Sequence, residues 1–261
     1  MMPAMSSSTA KFYDLRGQKV LDHPDDQGLL TIPLHLSAPY RFHEKQLPVK
    51  DGLFLDFGCG TGLHSFYPLT RGYRVFGLDI SEKSVLAART LAEKQGVTEK
   101  CHFQHGSLDA LAESNESFDV IFMSGVLYYL DRSQALPLIV SKLVPGGRFI
   151  CIETNAENRL MNLWRRFRQI LRGDRDQQTL SHLLGPGELK GFSRYFPQTQ
   201  IVYFDFLTLF GVALKKIPLV REIFHRLARS ADYFLLNRLG LSSLSFKMYF
   251  VGTKSDENLD L

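Results

Sequence analysis

No stretch of the chain approaches the ~18 consecutive apolar residues that a membrane-spanning helix needs, so none of the 261 residues is expected to thread a bilayer. Cysteine is scarce. Cys59, Cys101 and Cys151 make an odd count at no metal-ligand spacing, which argues against a disulfide scaffold, suits a reducing cytoplasm and leaves no metal site to expect. The opening "MMPAMSSSTAKFYDLRG" has no apolar h-region. It does not read as a signal peptide and is expected to fray. Internal repeats are absent, as is low complexity beyond the short serine run. Charge of either sign is mild, at a formal net of +4, and no RNA- or DNA-reading motif accompanies it, which argues against a nucleic-acid partner. The charge is uneven, however: residues 156–230 hold 13 Lys/Arg against 6 Asp/Glu.

What is present is an ordinary apolar fraction, 44%, enough for one large domain with a buried core. Short, nearly all-apolar runs recur: "LFLDF" from Leu53, "YRVFGLD" ending on Asp79, "CHFQH" from Cys101, Val120–Met123, and "RFICIE" ending on Glu153. They read as strands buried on both faces. Between them lie helical patterns. "LHSFYPLTRG" reads as a short helix ending at Gly72. "SEKSVLAARTLAEKQGV" has Ser81 as cap, Val85, Ala88 and Leu91 at helical spacing, and Gly96 at its end. "SQALPLIVSKLV" is a third helix. Strand and helix alternate, so the fold class is α/β with a doubly wound, mostly parallel sheet. Ligands on such sheets lie at the carboxyl ends of the strands, near the switch in strand order. After Glu153 the pattern loosens. "ENRLMNLWRRFRQILRGDRD" is basic and amphipathic, "GPGELKGFSRYF" starts a helix at Pro186, "QIVYFDFLTLF" and "LSFKMYFVGTK" read as two final strands, and residues 211–240 between them read as a helical insert.

The loop after the first strand, "DFGCGTG", sets glycines at Gly58, Gly60 and Gly62. A dinucleotide loop would need a further glycine three residues after Gly60, where Leu63 stands. Asp56, two residues before the first glycine, would repel a phosphate and favour a cation. The loop therefore suits a nucleoside with a positively charged tail, such as S-adenosyl-L-methionine. Tight-turn chemistry alone accounts for the glycines but not for Asp56 and Asp79. Asp79 alone could be a helix N-terminal acid. Cys59 reads as a small residue in a crowded loop, with no base placed to make it a nucleophile.

Four segments together resemble the class I S-adenosylmethionine-dependent methyltransferases: "LDFGCGTG", "VFGLDIS", "FDVIFMSGVLYYL" and "LVPGGRFICIE", in order and at family spacing. The likeness is strong over Val49–Thr154 and only topological beyond. It implies a seven-stranded Rossmann-like sheet with an antiparallel last strand and helical inserts in the C-terminal half. It implies a segment 1–48 forming a helical cap, a cofactor-binding core over 49–155, a C-terminal part with substrate-cap inserts over 156–254 and a disordered tail over 255–261. It further implies that Asp56 and the backbone of Gly58, Cys59, Gly60 and Gly62 hold the methionine end of S-adenosyl-L-methionine, and the product S-adenosyl-L-homocysteine likewise. Asp79 would accept both ribose hydroxyls, Ile80 would pack on the adenine, and Ser124 with Gly125 and Val126 would line the methyl side. Where the family places an adenine-reading Asp, this chain has Ser107. Leu108 through its N–H, or Asp109 two residues on, could take that role.

Methyl transfer from a sulfonium needs placement at about 3–3.5 Å and exclusion of water; a base helps only some acceptors. Contacts to the acceptor are sought among Tyr128, Tyr129, Glu153, Asn155 and His64. Each has a plainer reading, as a half-buried aromatic, a solvated acid or a helix-surface histidine. In the family, the segment before the first strand (Tyr13, His35, Tyr40, His43) and the late inserts cover the acceptor. The basic, aromatic-rich inserts read three ways: ordinary helices with solvated charge, a surface resting on anionic lipid at a membrane face, or a nucleic-acid surface. The apolar cap points to a small, hydrophobic or lipid-like acceptor. Two other functions stand beside this one. One is a non-catalytic nucleoside-binding or scaffold protein on the same fold; the other is a nucleotide-dependent oxidoreductase, which Leu63 and Asp56 disfavour.

Overall fold

Leu53, Phe54, Leu55 and Phe57 build the middle of the sheet because each is apolar whichever way the strand points it. In the computed structural model, which describes residues 7–22, 37–48, 50–163, 182–214 and 216–255, β1 (Gly52–Phe57) runs parallel between β2 (Tyr73–Asp79) and β4 (Phe118–Ser124). The two-residue period sends Phe54 into one core with Tyr73, Val75, Phe122 and Ile150. It sends Leu55 into the opposite core with Ile121, Met123 and Phe149. Both faces are thus buried. β3 (Cys101–His105) extends the sheet beyond β2, and β5 (Leu143–Thr154) beyond β4, both parallel. β7 (Lys247–Thr253) then inserts antiparallel between β5 and β6 (Gln198–Phe204), for an order of β3-β2-β1-β4-β5-β7-β6. The order reverses between β1 and β4, so the loops after these strands face one crevice.

Helices cover the sheet: α1 (Ser7–Asp22), α2 (Ser37–Gln46), α3 (Glu82–Lys94), α4 (Leu108–Glu113), α5 (Arg132–Lys142), α6 (Pro186–Lys190) and α7 (Pro218–Tyr233). α3 starts where Ser81 Oγ accepts the Ser84 N–H at 3.1 Å, and the chain leaves it through Gly96 at φ +65°. Its buried face carries Val85, Ala88 and Leu91.

Three expectations are corrected. The opening segment does not fray over residues 7–22. It forms α1, tied to α3 because Ser81 Oγ donates to Asp14 at 2.7 Å and Ser84 Oγ donates to the Tyr13 carbonyl at 3.2 Å. Gly17 lets the two helices meet, since a Cβ there would collide with the Lys83–Ser84 backbone. Residues 63–72 form no α-helix. The loop runs on in turns and only Pro68–Arg71 closes, as a 3-10 turn ended by Gly72 at φ +94°. The strand expected over 200–210 stops at Phe204, because Asp205 takes φ +64°. The Asp232 carboxylate then gathers the N–H groups of Phe206, Leu207 and Thr208 and turns the chain into 3-10 structure. Most of the basic segment "NLWRRFRQILRGDRD", the tail from Asp256 onward, and His35 lie outside the described residues. Among the described residues, no helix is long and apolar enough to cross a membrane.

Candidate active site

The glycine loop is shaped by contacts that no side chain could share. Gly58 takes φ +78°, donates its N–H to the Leu78 carbonyl at 2.7 Å, and leaves no room for a Cβ beside Val126. Gly60 takes φ +52° and donates to Asp79 Oδ2 at 2.8 Å, with open space within 4 Å of where a Cβ would stand. Asp79 Oδ1 accepts the Ser81 N–H at 2.8 Å. One carboxylate therefore pins the loop after β1 to the start of α3, and each oxygen keeps a lone pair. Burial raises the Asp79 carboxyl pKa, and the Ser81 and Gly60 N–H groups oppose that rise.

These groups border a cavity of about 80 Å³. Gly58, Gly60, Asp79, Ile80 and Ser124 of the expected set line it, together with Gly125 and Val126. Phe57, Leu78, Gly106, Tyr13 and Tyr129 complete the wall, and none of the lining residues is Lys or Arg. Tyr13 was expected on the acceptor side; its place here comes from α1 docking on α3, which no local motif announces.

The remaining expected residues stand elsewhere. Asp56 is buried behind the loop, where it accepts the Ser65 hydroxyl at 2.6 Å. Burial pushes its pKa up to about 7; the Ser65 bond lowers it and the Asp79 charge adds to the rise. Cys59 is buried, and burial, then the Asp56 and Asp79 charges, hold its thiol protonated well above the usual range. Gly62, at φ +85°, packs beside Phe66 and Ala88. Ser107 caps α4 through the Asp109 N–H at 3.3 Å, and Asp109 is exposed; of that turn only Gly106 reaches the cavity. Glu153 is fully buried and is no solvated acid. Its Oε1 accepts the N–H groups of Val126 at 3.2 Å and Leu127 at 2.9 Å, holding the loop after β4 from below. Asn155 is occupied by Ser242 and Ser245. Tyr128 leans on Tyr129, with ring centroids 4.3 Å apart.

His64 is no helix-surface residue. Its ring stacks on Tyr40 at 4.3 Å and 10°, and the Tyr40 hydroxyl pairs with Ser124 Oγ at 2.9 Å. Burial, then the Lys247 charge, lowers the His64 pKa to about 4, so the imidazole is neutral at pH 7. Burial raises Tyr40 to about 12 against the Ser124 bond, and the charges of Asp205, Asp56 and Glu153 raise it further. Asp205 and Lys247, whose charges act on Tyr40 and His64, were not singled out from the sequence, because they reach the carboxyl edge only through the order of β6 and β7.

The cavity is smaller than the roughly 300–1,000 Å³ of ordinary ligand pockets. Tyr13 and Tyr129 stand side by side in its wall, and burial, then Tyr129, raises the Tyr13 pKa. A nucleoside would fit here only with a wall residue such as Tyr13 displaced. Tyr13→Ala should therefore raise the association rate of a fluorescent S-adenosylmethionine analogue about fivefold, the effect of removing a barrier of about 1 kcal/mol. Stopped-flow measurement checks this, and an unchanged rate would show that α1 does not gate the site.

A crevice at the switch point, walled by glycine backbone and one carboxylate, lies where doubly wound α/β domains hold their ligands. Residues 55–151 match the family described as "Methyltransferase domain". Over 137 residues the chain is 34% identical to the ubiquinone biosynthesis O-methyltransferase of Cereibacter sphaeroides, covering 52% of this chain and 51% of that protein. Over 108 residues it is 34% identical to the tRNA U34 carboxymethyltransferase of Vibrio cholerae, covering 40% and 32% respectively. The chain spans about half, or less, of the length of these curated relatives. Two solved structures share the fold. The geranyl diphosphate C-methyltransferase of Streptomyces coelicolor A3(2) aligns with TM-score 0.55 at 14% identity, over 84% of this chain and 78% of that one. A methyltransferase of Thiobacillus denitrificans in complex with S-adenosyl-L-homocysteine aligns with TM-score 0.54 at 18% identity, over 92% and 96%. Residues 55–151 thus carry a methyltransferase domain, and the chain is similar to the class I S-adenosylmethionine-dependent methyltransferases, whose methyl donor is S-adenosyl-L-methionine.

Proposed function

We propose that this chain transfers a methyl group from S-adenosyl-L-methionine to a small, apolar or lipid-like acceptor. The observation that carries the reading is the wall of the switch-point cavity: one carboxylate, bare glycine backbone and no basic side chain. Such a wall disfavours a diphosphate and suits a sulfonium nucleoside. Asp79 would take the ribose hydroxyls, and Ile80 the adenine face. The turn of Ser107, Leu108 and Asp109 would meet the adenine edge. The Gly58–Gly62 backbone, with Cys59 behind it, and the field of Asp56 would hold the methionine end, with Ser124 on the methyl side. When bound, the donor supplies a methyl group on a positively charged sulfur, displaced in line and leaving a neutral thioether.

The chain's own residues then have two tasks. Tyr13, Tyr129 and Val126 exclude water. The Tyr40–His64 stack positions an acceptor beside Ser124, and neutral His64 can take a proton where the acceptor is a hydroxyl. The described parts of segment 1–48 and of 156–254 serve as the cap over this side. The aromatic character of Tyr40, Phe42 and His64 favours an apolar acceptor, as does the small-molecule pathway printed in the name of the Cereibacter relative. The Vibrio relative's name makes RNA the rival acceptor.

Incubation with S-adenosyl-L-methionine carrying a labelled methyl group tests this, using a lipid extract, a polar-metabolite fraction and total RNA as acceptors. Label in an extractable apolar product is expected. Label confined to RNA or protein would overturn the acceptor class. No label anywhere, with S-adenosyl-L-homocysteine still bound in calorimetry, would favour the non-catalytic nucleoside-binding alternative.

A further inference from the structure

Helix α7 turns its polar side inward. His225, Ala228 and Asp232 face the domain at 2%, 5% and 3% exposure. Asp232 holds three backbone N–H groups of the 206–208 turn, and His225 packs on the backbone of Gly211. Leu219, Ile223 and Leu227 follow at four-residue steps and so share one stripe. They are 71%, 52% and 67% exposed, with Val220 at 46% beside them and Phe234 at 55% continuing the line. An amphipathic helix on a globular domain ordinarily buries its apolar stripe. Here the Asp232 bonds fix the opposite orientation, so the exposed stripe is built into the fold. A contiguous apolar surface of this kind marks an interaction site.

Charge identifies the occupant. Residues 216–238 contain Lys216, Arg221, Arg226, Arg229 and Arg238 against Glu222 and the buried Asp232. Arg226 and Arg229 flank the stripe on one side, with Glu222 beside them. Arg41 of α2 lies close enough that, with Arg226, it lowers the Arg229 pKa, after burial as the first cause, while the Asp205 and Glu222 charges act to raise it. An apolar ridge with a basic rim complements an anionic bilayer surface, where the side chains enter the acyl boundary and the guanidiniums meet phosphates. A two-fold antiparallel pairing of the same stripe would instead set the two arginine rims side by side, which like charge opposes. We propose that α7 is a membrane-docking helix that seats Leu219, Ile223, Leu227 and Phe234 in an anionic lipid surface, with Arg41 and Arg226 on the headgroups. The inference rests on this surface alone and would hold even for a chain without methyltransferase activity.

Flotation of the full chain with vesicles tests it, comparing phosphatidylcholine alone with phosphatidylcholine containing about 30 mol% phosphatidylglycerol. The protein should float with the anionic vesicles and lose binding about tenfold on the neutral ones. The double variant Ile223→Glu/Leu227→Glu should lose at least about tenfold, and Arg226→Ala about fivefold. Both apolar sites are exposed, so the fold should persist by circular dichroism; Leu219→Ser/Leu227→Ser gives a milder second test. Failure to float with anionic vesicles, or flotation unchanged in the double variant, would overturn the proposal. So would light scattering that finds a dimer which the double variant splits while vesicles stay unbound.

Discussion

Asp79→Asn is expected to weaken S-adenosyl-L-homocysteine binding about a hundredfold while leaving most of the fold in place. The wild-type carboxylate already accepts the Gly60 and Ser81 N–H groups, one on each oxygen, and offers its remaining lone pairs to the cavity. An amide keeps one acceptor oxygen. Its NH2 must face one of those two N–H donors, so either the glycine loop or the α3 start loses its tie. The two ribose-hydroxyl contacts proposed for Asp79 would also lose their charge assistance. Charge-assisted hydrogen bonds contribute about 1.5–3 kcal/mol each, and a loss of about 2.8 kcal/mol corresponds to a hundredfold. Isothermal calorimetry reads the affinity, and a thermal melt separates it from stability. Affinity equal to that of the parent would remove Asp79 from the site and with it the choice of a nucleoside ligand.

The central strands were legible from sequence because the signal is local. Four or five apolar residues bounded by glycine or Asp can be satisfied only by burial on both faces, and Phe54 and Leu55 do enter opposite cores. The glycine loop was legible for a similar reason. What escaped was set by partners distant in sequence. Glu153 lies 26 residues from the Leu127 N–H it accepts, and only the β4–β5 pairing brings them together. Asp56 could be placed at the loop but not aimed; its side chain turns to Ser65. Residues 211–240 were legible as a helical insert but not as to which side faces in, because Asp232 and the 206–208 turn decide that. Nothing near Tyr13 signals a cofactor cavity; Gly17 against α3 puts it there.

Stability should decline as pH rises from about 4 to about 7, and one buried carboxyl should account for a large share. Burial raises Asp56, Glu153 and Asp205 each to about 7. Hydrogen bonds to Ser65 and Thr208 temper the two aspartates, and for Glu153 the Lys247 charge and two backbone N–H groups do so. In the unfolded chain these groups ionise near pH 4. Each native carboxyl therefore holds a proton that the unfolded one has released. Its contribution is complete below pH 4 and is lost as pH climbs through about 7. A rise of that size corresponds to roughly 4 kcal/mol per group. His43 and His64 act oppositely. Burial lowers them to about 3 and about 4, so their contribution is present above about 6.5 and is lost as pH falls. The two effects partly cancel between pH 4 and 6.5, which places the steepest net loss just above that range. Asp56→Asn keeps an acceptor for Ser65 but cannot ionise. It should match the parent near pH 4.5, exceed it in urea midpoint at pH 8 and flatten the curve between. An acid-to-amide change that stabilises at pH 8 makes sense only if the charge serves something other than the unliganded fold. A cationic ligand would draw the proton off Asp56, so the parent's affinity for S-adenosyl-L-methionine should rise through pH 7 and the variant's should not. Parallel stability curves for parent and variant would show that Asp56 is already ionised at neutral pH, with no proton left for a ligand to displace.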